Sequence, residues 1–275
     1  MIKAIFLKKI KRYFYSSFRF INKKNTNKII LINSIPKSGT YLLHQILNSI
    51  SFLNDYGLFV ASRPTLTYKK RSSKKITSFF ERIYKDEFIL GHVEYSLDIE
   101  KFLKKNNAVK ILLIRDPRDV VVSESHYLTY LNHFHKLSKS FKSLLTQEER
   151  VNYAIYGDVY LNTKYDFLPI IDRYESFIKW TKNTNCFVIK YEELIDCRRD
   201  KVIIDLLNFL TNSLNISINT SIELKKIKNS LATGRKGHTF RLGKSQIWKN
   251  ILTKEQKNYF KSRMGKILRE LNYDN

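Results

Sequence analysis

Short, unbroken apolar runs alternate along this chain with longer stretches in which apolar residues recur every three or four positions. The runs are residues 28–33 (KIILIN), 87–93 (EFILGHV), 109–114 (VKILLI) and 186–190 (CFVIK). A strand buried on both faces has no polar side to alternate with, so such runs predict strands of a parallel sheet. Residues 41–50 carry apolar side chains at 42, 43, 46, 47 and 50, which is a helical period. Helices are predicted likewise over 98–106, 120–130, 165–182, 201–214 and 254–271. Strands alternating with helices predict an α/β fold, a parallel β-sheet flanked by helices. No internal repeat or linker interrupts the pattern, so residues 28–275 read as a single domain. Residues 61–78 are polar and basic and predict an exposed loop or a short helix. Residues 131–150 predict a mobile lid, and 233–252 a tail rich in Gly, Lys and Arg.

Residues 1–27 break the pattern. They hold Lys3, Lys8, Lys9, Lys11, Arg12, Arg19, Lys23 and Lys24 with no acidic residue, and Ile2, Phe6, Ile10, Tyr13 and Phe14 fall at near-helical spacing. This predicts a basic amphipathic segment, either resting on an anionic membrane through residues 1–24 or packed on the protein's own surface. An unbroken apolar centre and a small-residue cleavage site are both missing, which argues against a signal peptide. No run of about 18 apolar residues suggests a membrane span. The expected location is the cytoplasm, at the membrane periphery if the segment binds lipid.

Charge changes this picture little. The formal net charge is +25, from 50 Lys and Arg against 25 Asp and Glu. Such a charge attracts any anion: nucleic acid, acidic lipid, polyanionic glycan or a small phosphate. Lys, Asn, Ile and Tyr are abundant together, so compositional bias explains much of it. The two cysteines, Cys186 and Cys197, form neither a disulfide framework nor a zinc motif, and read as ordinary reduced thiols. His126, His133 and His135 show no metal-ligand spacing and read as surface histidines.

Candidate chemistry concentrates at two strand ends. Ligands of an open parallel sheet sit beyond the carboxyl ends of its strands. The first run ends in Ser34-Ile35-Pro36-Lys37-Ser38-Gly39-Thr40 and leads into a helix, the third in Arg115-Asp116-Pro117-Arg118-Asp119. A Gly-containing loop opening a helix turns backbone N–H groups and the positive helix end toward a phosphate. Lys37 would add a point charge, and Ser38 and Thr40 hydroxyl donors. The loop is P-loop-like but is not a Walker A loop, because Pro36 stands where that motif requires Gly.

The order Pro36-Lys37-Ser38-Gly39-Thr40-Tyr41 resembles the phosphosulfate-binding loop of the sulfotransferases that use 3′-phosphoadenosine 5′-phosphosulfate (PAPS). Arg115-Asp116-Pro117-Arg118-Asp119-Val120-Val121-Val122-Ser123 resembles their 3′-phosphate segment, R-[ND]-P-x-D-x-x-x-S. Phe240-Arg241-Leu242-Gly243-Lys244, with Trp248 downstream, is similar to the stretch that closes over the nucleotide; Arg235-Lys236-Gly237 is a competing alignment without the Trp. Tyr191-Glu192-Glu193-Leu194 and Thr220-Ser221-Ile222 are similar to segments near the adenosine.

The resemblance implies PAPS as co-substrate, with no metal, and donor contacts from Lys37, Ser38, Gly39, Thr40, Tyr41, Arg115, Ser123, Tyr191, Thr220, Arg241, Leu242 and Gly243. It implies His92 as catalytic general base and Lys37 as the cation that neutralises the leaving group. Glu94 is the fallback base. The acceptor would be a hydroxyl or amine of a small molecule or glycan, with no specific nucleic acid as partner. The rival readings are a non-catalytic polyanion binder and a P-loop kinase.

Overall fold

The computed structural model describes residues 28–83, 87–182, 185–233 and 243–274. The predicted N-terminal segment 1–24, together with Arg241 and Leu242, lies outside the described residues.

Five parallel strands form the sheet: β1 (Ile30–Ser34), β2 (Asn54–Ala61), β3 (Glu87–His92), β4 (Val109–Ile114) and β5 (Cys186–Lys190), in the order β2-β3-β1-β4-β5. The nine longer helices among the described residues are α1 (Thr40–Asn48), α2 (Ser73–Phe80), α3 (Leu97–Lys105), α4 (Pro117–His126), α5 (Gln147–Tyr156), α6 (Ile170–Ile178), α7 (Arg199–Leu214), α8 (Thr220–Thr233) and α9 (Lys254–Arg263). A π-helical turn, Tyr127–Leu131, continues α4.

Successive strand residues face opposite sides, so each strand feeds two cores. Leu31, Ile89 and Leu112 join the core under α2, α3, α4 and α5. Ile30, Ile32, Leu90, Ile111 and Leu113 join the other, under α1 and α7. Every residue of β1 and β4 is buried, which explains their continuous apolar runs.

The topology creates one special place. From central β1 the chain runs out to β2, returns through β3, then crosses to β4 on the other side. The connections after β1 and β4 therefore part in opposite directions, leaving a crevice beyond their ends, where open α/β sheets bind ligands. Asn33 braces this point. Its side-chain amide donates to the Val93 carbonyl and accepts from the Val93 N–H, both at 2.8 Å, tying the end of β1 to the end of β3.

Four expectations need correction. The strand β2 escaped the pattern because its first half, Asn-Asp-Tyr-Gly, is not an apolar run and its register slips between Asp55 and Phe59. The 131–150 stretch is not a loose lid: the helix Ser138–Ser143 and the start of α5 fold there, and Phe141 anchors the first in the core, fully buried. The helix predicted over 165–182 begins only at Ile170, after Pro169. The closing helix breaks at Met264 into α9 and Gly265–Glu270.

Candidate active site

The crevice opens into a cavity of about 1470 Å³. Its floor is the loop after β1. Lys37 and Gly39 both take positive φ, 68° and 96°. Gly39 caps α1 in the left-handed region, and a Cβ there would stand 2.4 Å from the Tyr191 ring, so glycine is needed for two reasons. The turn leaves Lys37, Gly39, Thr40 and Tyr41 on the cavity wall.

Ser38 departs from expectation. It is fully buried, and its hydroxyl donates to the Ile35 carbonyl at 2.6 Å and lies 3.2 Å from that of Leu113. The hydroxyl braces the loop from within and is not a ligand donor in this geometry. Thr40 lines the cavity, its hydroxyl 2.8 Å from that of Ser34.

Lys37 projects its ammonium onto the Tyr127 ring, 3.5 Å from the centroid. Withdrawal from water pushes its pKa down to about 7; Glu124 opposes that and Arg115 adds to it. The cation is thus costly until an anion arrives.

Arg115 sits where β4 ends, almost buried. Its guanidinium stacks on Tyr191, 4.4 Å from the centroid, and donates to the carbonyls of Lys37 and Lys244 at 3.2 Å each. Its Nε is buried with no partner, an unsatisfied donor that an incoming oxygen could engage. Tyr174 donates to the Arg115 carbonyl at 2.7 Å and fixes the backbone. Along α4 and its π-helical extension, Asp119, Val120, Ser123, Glu124, Tyr127 and Leu128 all line the cavity. Their spacing is one helical face, so Ser123 shares a wall with Arg115.

The other residues of the Asp-Pro-Arg-Asp turn work internally. Asp116 caps α4 and pairs with Arg118 at 2.7 Å. Arg118 packs over Trp248 at 3.9 Å. The Asp119 carboxylate accepts the backbone N–H groups of Gln246 and Trp248 at 2.7 and 3.1 Å. These bonds hold the C-terminal segment against α4, with Gly243 and Lys244 at the cavity.

Thr220 is misplaced by the sequence reading. Helix α8 lies along α1, with Glu223 bound to Ser51 past the end of α1 and the Ser230 carbonyl bound to Gln45. The far end of α8, Leu231 and Ala232, reaches the cavity; Thr220 does not.

His92 closes the opposite side, at the end of β3. Its Nδ1 lies 2.7 Å from the Ser34 carbonyl oxygen, which can only accept, so Nδ1 carries the proton. The lone pair is then on Nε2, and the ring borders the cavity, edge-on to Phe59. Burial, helped by the charge on Lys37, pushes the pKa down to about 4. Glu94 also borders the cavity, but Arg63 and Lys70 hold its two oxygens at 3.0 and 2.9 Å.

Sequence reasoning missed His135, Tyr127, Glu124 and Arg173 on this wall. His135 is half-buried on the cavity wall: its Nδ1 accepts the Leu137 N–H at 3.1 Å and burial pushes its pKa down to about 4. Its only sequence signal is being a histidine in a polar stretch. Among the described residues no cluster of His, Cys, Asp or Glu could hold a metal, and no helix is long and apolar enough to cross a membrane.

A Pro-Lys-Ser-Gly-Thr loop after β1, facing Arg115 and α4 at the topological switch point, makes an anion-binding crevice of the kind a nucleotide-dependent transferase uses. Residues 27–272 match the sulfotransferase domain family, and the chain belongs to it. It is a PAPS-dependent sulfotransferase, which sets aside the polyanion binder and the P-loop kinase. Solved structures agree on the fold. Mouse sulfotransferase SULT7A1 complexed with PAP is 21% identical, with a TM-score of 0.61, covering 90% of this chain and 86% of that one. Retinol dehydratase with androsterone and the inactive cofactor PAP is 16% identical, with a TM-score of 0.54, covering 92% and 84%. No curated protein matches the sequence.

Proposed function

We propose that this sulfotransferase moves the sulfuryl group of PAPS to an acceptor hydroxyl or amine, with His92 as general base. The observation that carries this reading is the Nδ1–H bond from His92 to Ser34, which leaves the Nε2 lone pair for the cavity that Lys37 also lines. Nε2 takes the acceptor proton as the acceptor atom bonds to sulfur. The bond from sulfur to the bridging oxygen breaks, and its electron pair stays on the 5′-phosphate of the departing PAP. Lys37 stabilises that developing charge, a preorganised contact of the sort that contributes about 10²–10³ in rate. Arg115 and Ser123 hold the 3′-phosphate, while Gly39, Thr40, Tyr41 and Gly243 line the donor's path. Tyr191, stacked on Arg115, borders the adenosine side.

Glu94 is the weaker base, because both its oxygens are already engaged by cations. The test is a screen of labelled-sulfate transfer from PAPS over phenols, steroids, amines, lipids and glycans, run with His92→Ala beside wild type. The expected outcome is loss of transfer in His92→Ala with PAP binding retained, and measurable transfer in Glu94→Gln. The reverse pattern would move the base to Glu94.

A further inference from the structure

Beside the main cavity lies a smaller pocket of about 290 Å³ lined by Thr67, Tyr68, Lys69, Lys70, Lys136, Lys164, Tyr165 and Asp166. It shares Thr67, Tyr68, Lys69 and Lys70 with the main cavity, so one ligand can occupy both. Its lysines come from three separate segments. The Lys136 N–H donates to the Thr65 carbonyl at 2.9 Å, docking the second segment on the first. The Lys136 ammonium sits over Tyr165 at 5.4 Å, docking it on the third.

A lysine-rich chain scatters lysines everywhere, so the number alone decides nothing. The pairing does. The single carboxylate of the lining, Asp166, is bound by Arg63 at 2.5 Å. Glu94, a carboxylate of the adjoining cavity, is bound by Arg63 and Lys70. Among the described residues no carboxylate pairs with Lys69, Lys136 or Lys164. The pocket is thus rimmed by exposed lysines from three segments, with its own acid already bound by Arg63, beside two tyrosine rings. The main cavity also exceeds the roughly 300–1,000 Å³ of an ordinary ligand site, as a site for donor and acceptor together would.

We propose that the acceptor carries an anionic group, a carboxylate, sulfate or phosphate, that seats in this lysine pocket while its hydroxyl or amine lies at His92. The proposal rests on the functional reading above for where the transfer occurs. A neutral analogue would leave the lysines without a counter-charge and lose that contact.

The test uses full-length protein saturated with PAP, so that the donor's own anion sites are filled. Calorimetry then compares p-nitrophenyl β-D-glucuronide with its neutral methyl ester, and p-nitrophenyl phosphate with neutral p-nitroanisole. At least one charged probe should bind about tenfold more tightly than its neutral counterpart, the combined effect of several exposed charge contacts. Lys136→Gln/Lys164→Gln should erase that advantage while PAP affinity stays unchanged, which also reports an intact fold. An advantage confined to the glucuronide assigns the pocket to acidic sugars; one confined to the phosphate assigns it to phosphorylated acceptors. Equal binding of charged and neutral probes, or an advantage that survives the double substitution, overturns the proposal. Loss of PAP binding in wild type would instead strike the donor site, and is read from a separate titration.

Discussion

The two halves of the cavity are made in different ways. The half we assign to the donor is built at strand ends: Lys37 to Thr40 follow β1, and Arg115 follows β4. Its parts are local in sequence and rest on the sheet, whose strand-end alignment the Asn33 bridge to Val93 secures. The half we assign to the acceptor is assembled from side chains scattered over the β2–α2 loop, the π-helical turn and the 132–135 segment, with the loop before α6 lining the adjoining pocket. A contiguous turn can present backbone groups and a fixed charge in one geometry regardless of the substrate. A wall of side chains from separate loops can change one member at a time, which is how loops on a rigid scaffold set specificity.

If the donor half works as argued, the largest effect of a charge deletion there is on rate. Lys37→Ala should lower kcat by about 10²–10³, with a much smaller loss of PAP affinity, in steady-state transfer and calorimetry run together. Equal, small losses in both would reduce Lys37 to a structural residue.

Next in size is affinity. Arg115→Ala removes a charge-assisted contact and should weaken PAP binding by ~1.5–3 kcal/mol, with Ser123→Ala weaker in the same direction. Thr220→Ala, at the far end of α8 from the cavity, should change nothing. A Thr220 effect as large as that of Arg115 would show that α8 sits differently on α1.

The pH dependence follows from two depressed values. As the proposed base, His92 must be neutral to accept a proton, a form present above its pKa of about 4. Lys37 must be charged to meet the donor, a form present below its pKa of about 7 in the free enzyme. The profile of kcat/KM reports free-enzyme groups, so it should plateau between about 4 and about 7 and fall on both sides. PAP binding above neutral pH should take up a proton as the phosphate restores the charge on Lys37, visible as heat that varies with buffer ionisation. Lys37→Met should abolish that uptake.

The same contrast between halves governs what could be read from sequence. β1, β3 and β4 announced themselves because both their faces are buried, and half-buried β5 because Cys186–Lys190 is still a short apolar run; β2 did not, because Asp55 and Gly57 interrupt it. The Pro36–Thr40 loop and the Arg115–Ser123 segment were legible because each is one short stretch whose geometry its own residues dictate. Even there, the direction of a hydroxyl was not legible: Ser38 turns inward because two carbonyls, of Ile35 and Leu113, wait there. Thr220 was misplaced because a short motif carries no information about which end of a helix meets the sheet. His135 and the lysine pocket are products of tertiary convergence, to which no spacing in the chain points.

The smallest expected effect on donor binding and transfer lies outside both halves. The basic segment 1–24 is proposed to rest on anionic membrane, where each basic residue near the surface adds about 1 kcal/mol. A chain beginning at Asn25 should pellet less with anionic vesicles than the full chain while its PAP affinity is unchanged. Equal pelleting would defeat the membrane idea, and loss of folded signal would assign the segment to packing on the enzyme.

Most direct for the central claim, that the crevice beyond β1 and β4 is a built donor site and not a general anion sink on a chain of net charge +25, is a calorimetric titration of the wild-type protein with PAP at low and moderate salt. A preformed site predicts one PAP per chain, with stoichiometry fixed and affinity falling only modestly as salt rises. Several PAP per chain, or binding that collapses steeply with salt as a purely electrostatic contact does, would contradict it.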